Sequence, residues 1–245
     1  MEISNYGDQV KINSVGDITV SNYAPNVTDI TPQQLDAQQS VLEIDQAKYF
    51  AFYIDDVDHA QTKPKLMGEA MRKAAYALAD DADQHIAGFW NQACTTVSST
   101  GVTQANALRI LGDISKELSD RSVPTNGRWA VIPPWYHVFL VLNGVLETDG
   151  SIDASNHYSN GFVGRAFGFD IYLSNNLTTG GTAVDRSNRG LAGTSRAISF
   201  ADQIVKTEAY RPENAFSDAV KGLHVYGSKV IDPNALVSIN IATTA

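Results

Sequence analysis

Residues 64–92 read PKLMGEAMRKAAYALADDADQHIAGFWNQ. Apolar residues recur at Met67, Met71, Ala74, Leu78, Ala82, Ile86 and Phe89, a three-or-four spacing that lines one face of a helix. Thr62 precedes Pro64 by two positions, and a proline is tolerated in a first helical turn because its missing N–H would have no partner there. No proline follows within the run. Gly68 and Gly88 are its weak points, each costing about 1 kcal/mol relative to alanine. A continuous helix of this length is a rod of roughly 43 Å, against an average of about 11–12 residues. Such a rod predicts a flat or extended molecule built along it. Its stripe at Met67, Met71, Leu78 and Ile86 should pack on a sheet, and Asp80, Asp81 and Asp83 should face solvent or a neighbour.

The chain has 245 residues, one cysteine and a formal net charge of -9. An acidic balance opposes a surface that holds nucleic acid by neutralising phosphates. A single cysteine, Cys94, excludes an internal disulfide, and its position after a helix end makes it a packing residue rather than a nucleophile. No signal-peptide pattern and no apolar run of about 20 residues occurs, which implies a cytosolic protein without a membrane span. The sequons at Asn26 and Asn176 are accordingly read as chance. Charge is uneven: residues 1–63 hold ten acidic and three basic residues, net -7, and residues 64–245 hold seventeen and fifteen, net -2. Eight arginines fall between Arg109 and Arg211. The two parts are either differently solvated surfaces or complementary ones that meet between copies.

In chain order, Val10 and Ile12 alternate as a strand, and Ile18 and Val20 continue it after a bulge at Gly16. Residues 21–40 read as a polar tip. One long strand is expected over 41–55, with Leu42, Ile44, Phe50, Phe52 and Ile54 on one face and Gln46 and Lys48 in its middle. Two long strands joined by a polar tip form an arm that needs a surface to lie on, because an isolated hairpin is marginal in water. Residues 95–101 read as a polar break. A second helix starts at the N-cap Thr103 and buries Ala107, Leu108, Leu111, Ile114 and Leu118. A strand at 129–132, a buried helix after Pro133-Pro134, loops at 144–165 and 175–195, and a strand at 166–174 follow. Strands close the chain at 197–201, 204–210, 222–231 and 236–242.

Catalytic patterns are absent. The histidines His59, His85, His137, His157 and His224 have no metal-ligand spacing. Asp55, Asp56, Asp58 and His59 suit a helix dipole better than a cation. The stretch 149–153, DGSID, lacks the later ligands of a calcium loop. There is no phosphate loop and no nucleophile elbow. No cofactor is expected.

An ordered set of segments nevertheless resembles the major capsid proteins of tailed bacteriophages. It comprises GDQVKINSVGDITVSNY, VLEIDQAKYFAFYIDDVDHAQ, AMRKAAYALADDADQHIAG, VPTNGRWAVIPPWYHVFL, GFDIYLSNNL and AYRPENAFSDAVKGLHVYGSKVIDPNALVSINIA. The resemblance covers nearly the whole chain. It implies the α+β shell fold that encapsulins and the herpesvirus capsid floor share, with an extended β-hairpin loop, a spine helix, and peripheral and axial domains. It also implies a division of the chain. Residues 1–7 would be a short N-terminal arm, shorter than is usual in such proteins, and 8–55 the extended loop. Residues 56–102 would hold the spine helix of the peripheral domain, 103–195 the axial domain with inserted loops, and 196–245 the strands completing the peripheral domain. The implied function is assembly into hexamers and pentamers of an icosahedral head shell in the virion, made in the bacterial host cytoplasm. The shell would enclose double-stranded DNA without sequence-specific binding. Portal, scaffolding and decoration proteins would be its other partners. Candidate contacts between subunits are Glu43, Asp45, Lys48, Tyr23, Arg165 and Arg196. The alternatives are an encapsulin-like nanocompartment shell and a cytosolic enzyme of unrecognised type.

Overall fold

A computed structural model describes residues 9–15, 37–55, 66–143, 162–180, 187–213 and 216–242, with isolated positions between 18 and 32. The rod is helix α1, Leu66–Ala87, 22 residues or about 33 Å long. A 3-10 turn, Gly88–Gln92, follows it. The expected helix is therefore shorter: at Gly88 the α-helical bonding tightens, as helix ends commonly do. The apolar stripe holds. Ala82 is buried, Met71, Leu78 and Ile86 are half-buried, and Tyr76 on the far side is 75% exposed.

The strands form three sheets. Strands β1 (Gln9–Val15) and β2 (Ala37–Glu43) form an antiparallel pair, the root of the arm. Strands β3 (Gln46–Asp55), β10 (Ile198–Tyr210) and β11 (Ser217–Val230) form a second sheet in the order β10-β11-β3. The third sheet has seven strands. Six of them are β4 (Thr95–Thr100), β5 (Arg128–Ile132), β6 (Phe162–Ala166), β7 (Phe169–Leu173), β9 (Ser187–Thr194) and β12 (Leu236–Ala242), in the order β4-β12-β9-β5-β7-β6. The seventh, β8 (Thr178–Gly180), pairs with β9. The β12–β4 and β5–β7 pairs are parallel and the other pairs of this sheet antiparallel.

Helices α2 (Gln104–Asp120) and α3 (Pro134–Leu142) cover one face of the large sheet. Thr103 caps α2 in a reciprocal box with Asn106, as its position predicts. The buried stripe of α2 is Ala107, Ile110, Leu111, Ile114 and Leu118, so Ile110 takes the place expected for Leu108, which is only half-buried. Helix α3, expected to be buried, buries Tyr136 and Leu140 but leaves Val138, Val141 and Leu142 exposed. Arg128 is 1% exposed, with no carboxylate among its hydrogen-bond partners. Its guanidinium donates to the carbonyls of Ser115, Val123 and Pro124 and to the Ser119 hydroxyl, tying the end of α2 to the turn before β5. Burial lowers its pKa.

Several loops are strands. Residues 95–100 form β4 because their β-branched threonines and Val97 alternate beside β12. Phe162–Ala166 turns back through Phe167-Gly168, both at positive φ, to pair with β7. The glycine-rich stretch 187–194 is β9, with β12 on one side and β5 on the other. A Cβ on Gly190 would lie 2.5 Å from the Val131 carbonyl oxygen, and one on Gly193 equally close to that of Ala235. These glycines therefore permit close backbone approach inside a sheet rather than marking a loop. Residues 198–210 form one strand with a bulge between Ile204 and Lys206, not two strands. Ile18 and Val20 are not in a strand, and they are 69% and 92% exposed. Cys94 is exposed rather than packed. Among the described residues no helix is long and apolar enough to cross a membrane.

Candidate functional site

The long strand expected over 41–55 breaks at Ile44-Asp45, and the break decides how the arm is anchored. Leu42 and Ile44 are fully buried against Val225, with Val10, Ile12 and Ala201 at the margin. Two residues later the chain enters β3 and pairs with β11 from Gln46 opposite Tyr226 to Asp55 opposite Ser217. Side chains alternate along β11, so Val225 faces the arm while His224 and Tyr226 face α1. The Glu43 carbonyl lies where a Cβ on Gly227 would be, 2.3 Å away, so only glycine lets the arm's root press on β11 here. The Lys229 ammonium donates to the Val41 carbonyl at 2.8 Å. The root of the arm is thus fixed, while Ile18 and Val20 farther along it are bare.

Helix α1 is fastened by two adjacent carboxylates. Asp81 accepts from Lys48 Nζ at 3.1 Å and from the Tyr226 hydroxyl at 2.8 Å, which joins the helix to β3 and β11. Asp80 accepts from Asn176 Nδ2 at 2.6 Å, which joins it to the segment between β7 and β8, and from Gln84. Burial alone would raise the Asp81 pKa, but Tyr226, Lys48 and His85 outweigh it and leave it lowered. Burial, then Asp81 and Asp45, push the Tyr226 phenol up. Asp83 has its pKa raised, by burial and then by Asp80. Asp80 and Asp81 are therefore engaged within the chain rather than left to solvent.

Between these fastenings and the sheet lies a groove of about 520 Å³, walled by Met71, Leu78 and Ile86 of α1 and by Phe50 and Phe200 of the sheet. The opposite face of the same sheet carries Tyr49 and Tyr53, 78% and 70% exposed. Beside them Glu208 lies between Lys206 and Lys221. Those two lysines hold the Glu208 carboxyl below its ordinary range.

The candidate contact residues separate into three groups. Glu43 and Asp45 stand exposed at the break in the arm. Lys48, Arg165 and Arg196 are engaged within the chain, with Asp81, Asp170 and Asp232 respectively. Tyr23 lies outside the described residues, as do Asp56, Asp58, His59 and the 149–153 stretch. Among the described residues no three potential ligands cluster to hold a metal. The sequence reading missed the bare aromatics Tyr49 and Tyr53. The signal was present, since they occupy the parity of β3 opposite to Phe50 and Phe52.

Residues 38–239 match the family described as phage capsid protein. The chain belongs to that family. This capsid protein is a structural component of the phage virion rather than an enzyme. Its structure aligns with one from Mycobacterium phage Che8 at 29% identity and a TM-score of 0.72, covering 95% of this chain and 84% of that one. The capsid of cyanophage P-SCSP1u aligns at 20% identity and 0.71, covering 99% and 85%. A virus-like particle from Pyrococcus furiosus shares the fold at 13% identity and 0.59, covering 97% and 88%. No curated protein matches significantly. The expected α+β shell fold is therefore the fold of this capsid protein.

Proposed function

We propose that this chain is the major capsid protein whose hexamers and pentamers tile an icosahedral head around double-stranded DNA. The observation that carries the reading is the arm. Its root is built into the sheet through Leu42 and Ile44, yet Ile18 and Val20 project bare from the chain that carries them. Bare apolar side chains such as these are stabilised when a neighbour covers them. In this reading the loop 8–55, rooted in the chain's own sheet at Leu42 and Ile44, extends its far end over the adjacent subunit, 56–102 and 196–245 form the peripheral domain, and 103–195 form the axial domain at the capsomer centre. Glu43 and Asp45 then meet arginine-bearing surfaces of that neighbour, in keeping with the net charges of -7 over residues 1–63 and -2 over residues 64–245. Arg165 and Arg196, both mostly exposed despite their internal partners, are offered as the receiving side. Portal, scaffolding and decoration proteins complete the set of partners. The acidic balance suits a container whose wall must not trap the packaged duplex.

Negative-stain electron microscopy of the purified chain tests this. The expected result is shells of fixed diameter with six-fold and five-fold capsomers. Small uniform particles enclosing protein cargo would move the chain to a nanocompartment, and a stable monomer would overturn the assembly reading.

A further inference from the structure

The groove beneath α1 has a one-sided chemistry. Its walls are apolar, and its volume of about 520 Å³ is in the range of small-molecule sites. The polar groups that line it are the carboxylates of Asp83 and Asp202, the His224 imidazole and the Thr207 hydroxyl. No lysine or arginine is among the described lining residues. Asp83 and Asp202 are exposed and so stand at the rim, whereas His224 is 6% exposed and forms the floor. His224 Nε2 lies 3.5 Å from Asp202 Oδ2, and Nδ1 is buried with no hydrogen-bond partner. With the ring proton on Nε2 directed at that carboxylate, Nδ1 is left as an acceptor. The polar groups exposed at the groove are thus two carboxylates and one hydroxyl, while Nδ1 is enclosed beneath the floor. The two carboxylates carry negative charge. A groove rimmed by carboxylates selects a ligand that brings donors and positive charge.

We propose that this groove binds an aliphatic amine, its hydrocarbon chain against Met71, Leu78 and Phe50 and its ammonium at the Asp83–Asp202 rim. The alkyl body removes the half-exposed wall from water, and the ammonium supplies the donors that the rim carboxylates lack. An alcohol of the same length keeps the hydrophobic contribution and loses the charge. A carboxylate of the same length meets two like charges.

Isothermal titration calorimetry of the full chain with octylamine, octanol and octanoate at pH 7 tests the assignment. Octylamine should bind saturably and at least tenfold more tightly than octanol, and octanoate should not bind. In D202N the advantage of octylamine over octanol should shrink severalfold. In A79F, where a ring is placed on an exposed lining position of α1, both should stop binding while the circular dichroism spectrum stays that of the parent. Equal affinity for octylamine and octanol, no saturable binding of either, or undiminished binding by A79F would each overturn the proposal. If A79F failed to fold, the octylamine-to-octanol ratio in the parent and in D202N would decide it.

Discussion

Around α2 and α3 the seven-stranded sheet buries Leu111, Ile114, Ile132 and Leu140 completely. Under α1 the three-stranded sheet leaves Met71 and Leu78 half-buried and Phe200 exposed beside an open groove. Each sheet carries helix on one face, but the first is a closed core, whereas the second is held to its helix by polar contacts from Asp81 to Lys48 and Tyr226. The contrast separates two tasks. A core that excludes water gives the subunit its own stability. A helix on polar fastenings, next to bare tyrosines and a bare arm, leaves surface for something outside the chain to complete.

The sharpest way to break this contrast is to remove the same group from both regions. Leu111→Ala in α2 should cost about 2–5 kcal/mol in chemical denaturation, because the closed core cannot collapse around the void. Leu78→Ala in α1 should cost about 1 kcal/mol, because that side chain already borders open space. Equal losses would mean that the groove is as well packed as the core.

Titration sharpens the picture of the fastenings at a smaller scale. Asp81 has a lowered pKa in the folded chain, so its contribution is present above the ordinary carboxylate pKa and is lost as pH falls through the folded value. Asp83 has a raised pKa, so the folded state holds its proton more tightly and the group destabilises the fold once pH rises above the ordinary value. The Asp81 side chain is 38% exposed and Asp83 is exposed, so solvent screening keeps each effect to about 0–1 kcal/mol. Asp81→Asn should lower stability at pH 7 and lose that deficit towards pH 3. Asp83→Asn should raise stability slightly at pH 7. Thermal melts from pH 3 to 7 check both signs.

The smallest effect per site concerns the arm. Glu43→Gln with Asp45→Asn should leave the unassembled chain unchanged in its melting temperature, since neither residue is seen pairing within it. The same change should make shells dissociate at lower salt. Each exposed pair contributes only about 0–1 kcal/mol, but a shell repeats it at every subunit. Shells with the parent's salt tolerance would remove these two residues from the interface.

The parts legible from sequence were those in which one physical demand dominates. The α1 stripe from Met71 to Ile86 follows helical periodicity because one side of the helix meets apolar neighbours. Thr103 was readable because a cap depends on local chemistry. Strand β12 was readable because Val237, Ile239 and Ile241 alternate along it and share the core face against α2. Strand β9 was hidden because its glycines answer to carbonyls of Val131 and Ala235, which are distant in sequence. The break at Ile44-Asp45 was hidden because Leu42, Ile44 and Phe50 keep one parity through it. Lys48 was expected to contact another copy, but Asp81, 33 positions away, supplies a partner at home. Tyr226 and Asn176 gave no local hint that they would hold α1.

Strand β12 is synthesised near the end of the described chain, yet it is hydrogen-bonded between β4 and β9, in the interior of the large sheet. Chains emerge from the ribosome with the N-terminal part first. Strands β4 and β9 must therefore wait, with their inner edges unpaired, until residues 236–242 are made. A chain cut short before Leu236 has a gap in its sheet where Val237, Ile239 and Ile241 should fill the core against α2. Topology thus acts as a proofreading step: only a subunit translated through Ala242 can close its large sheet and reach the shape that its neighbours accept.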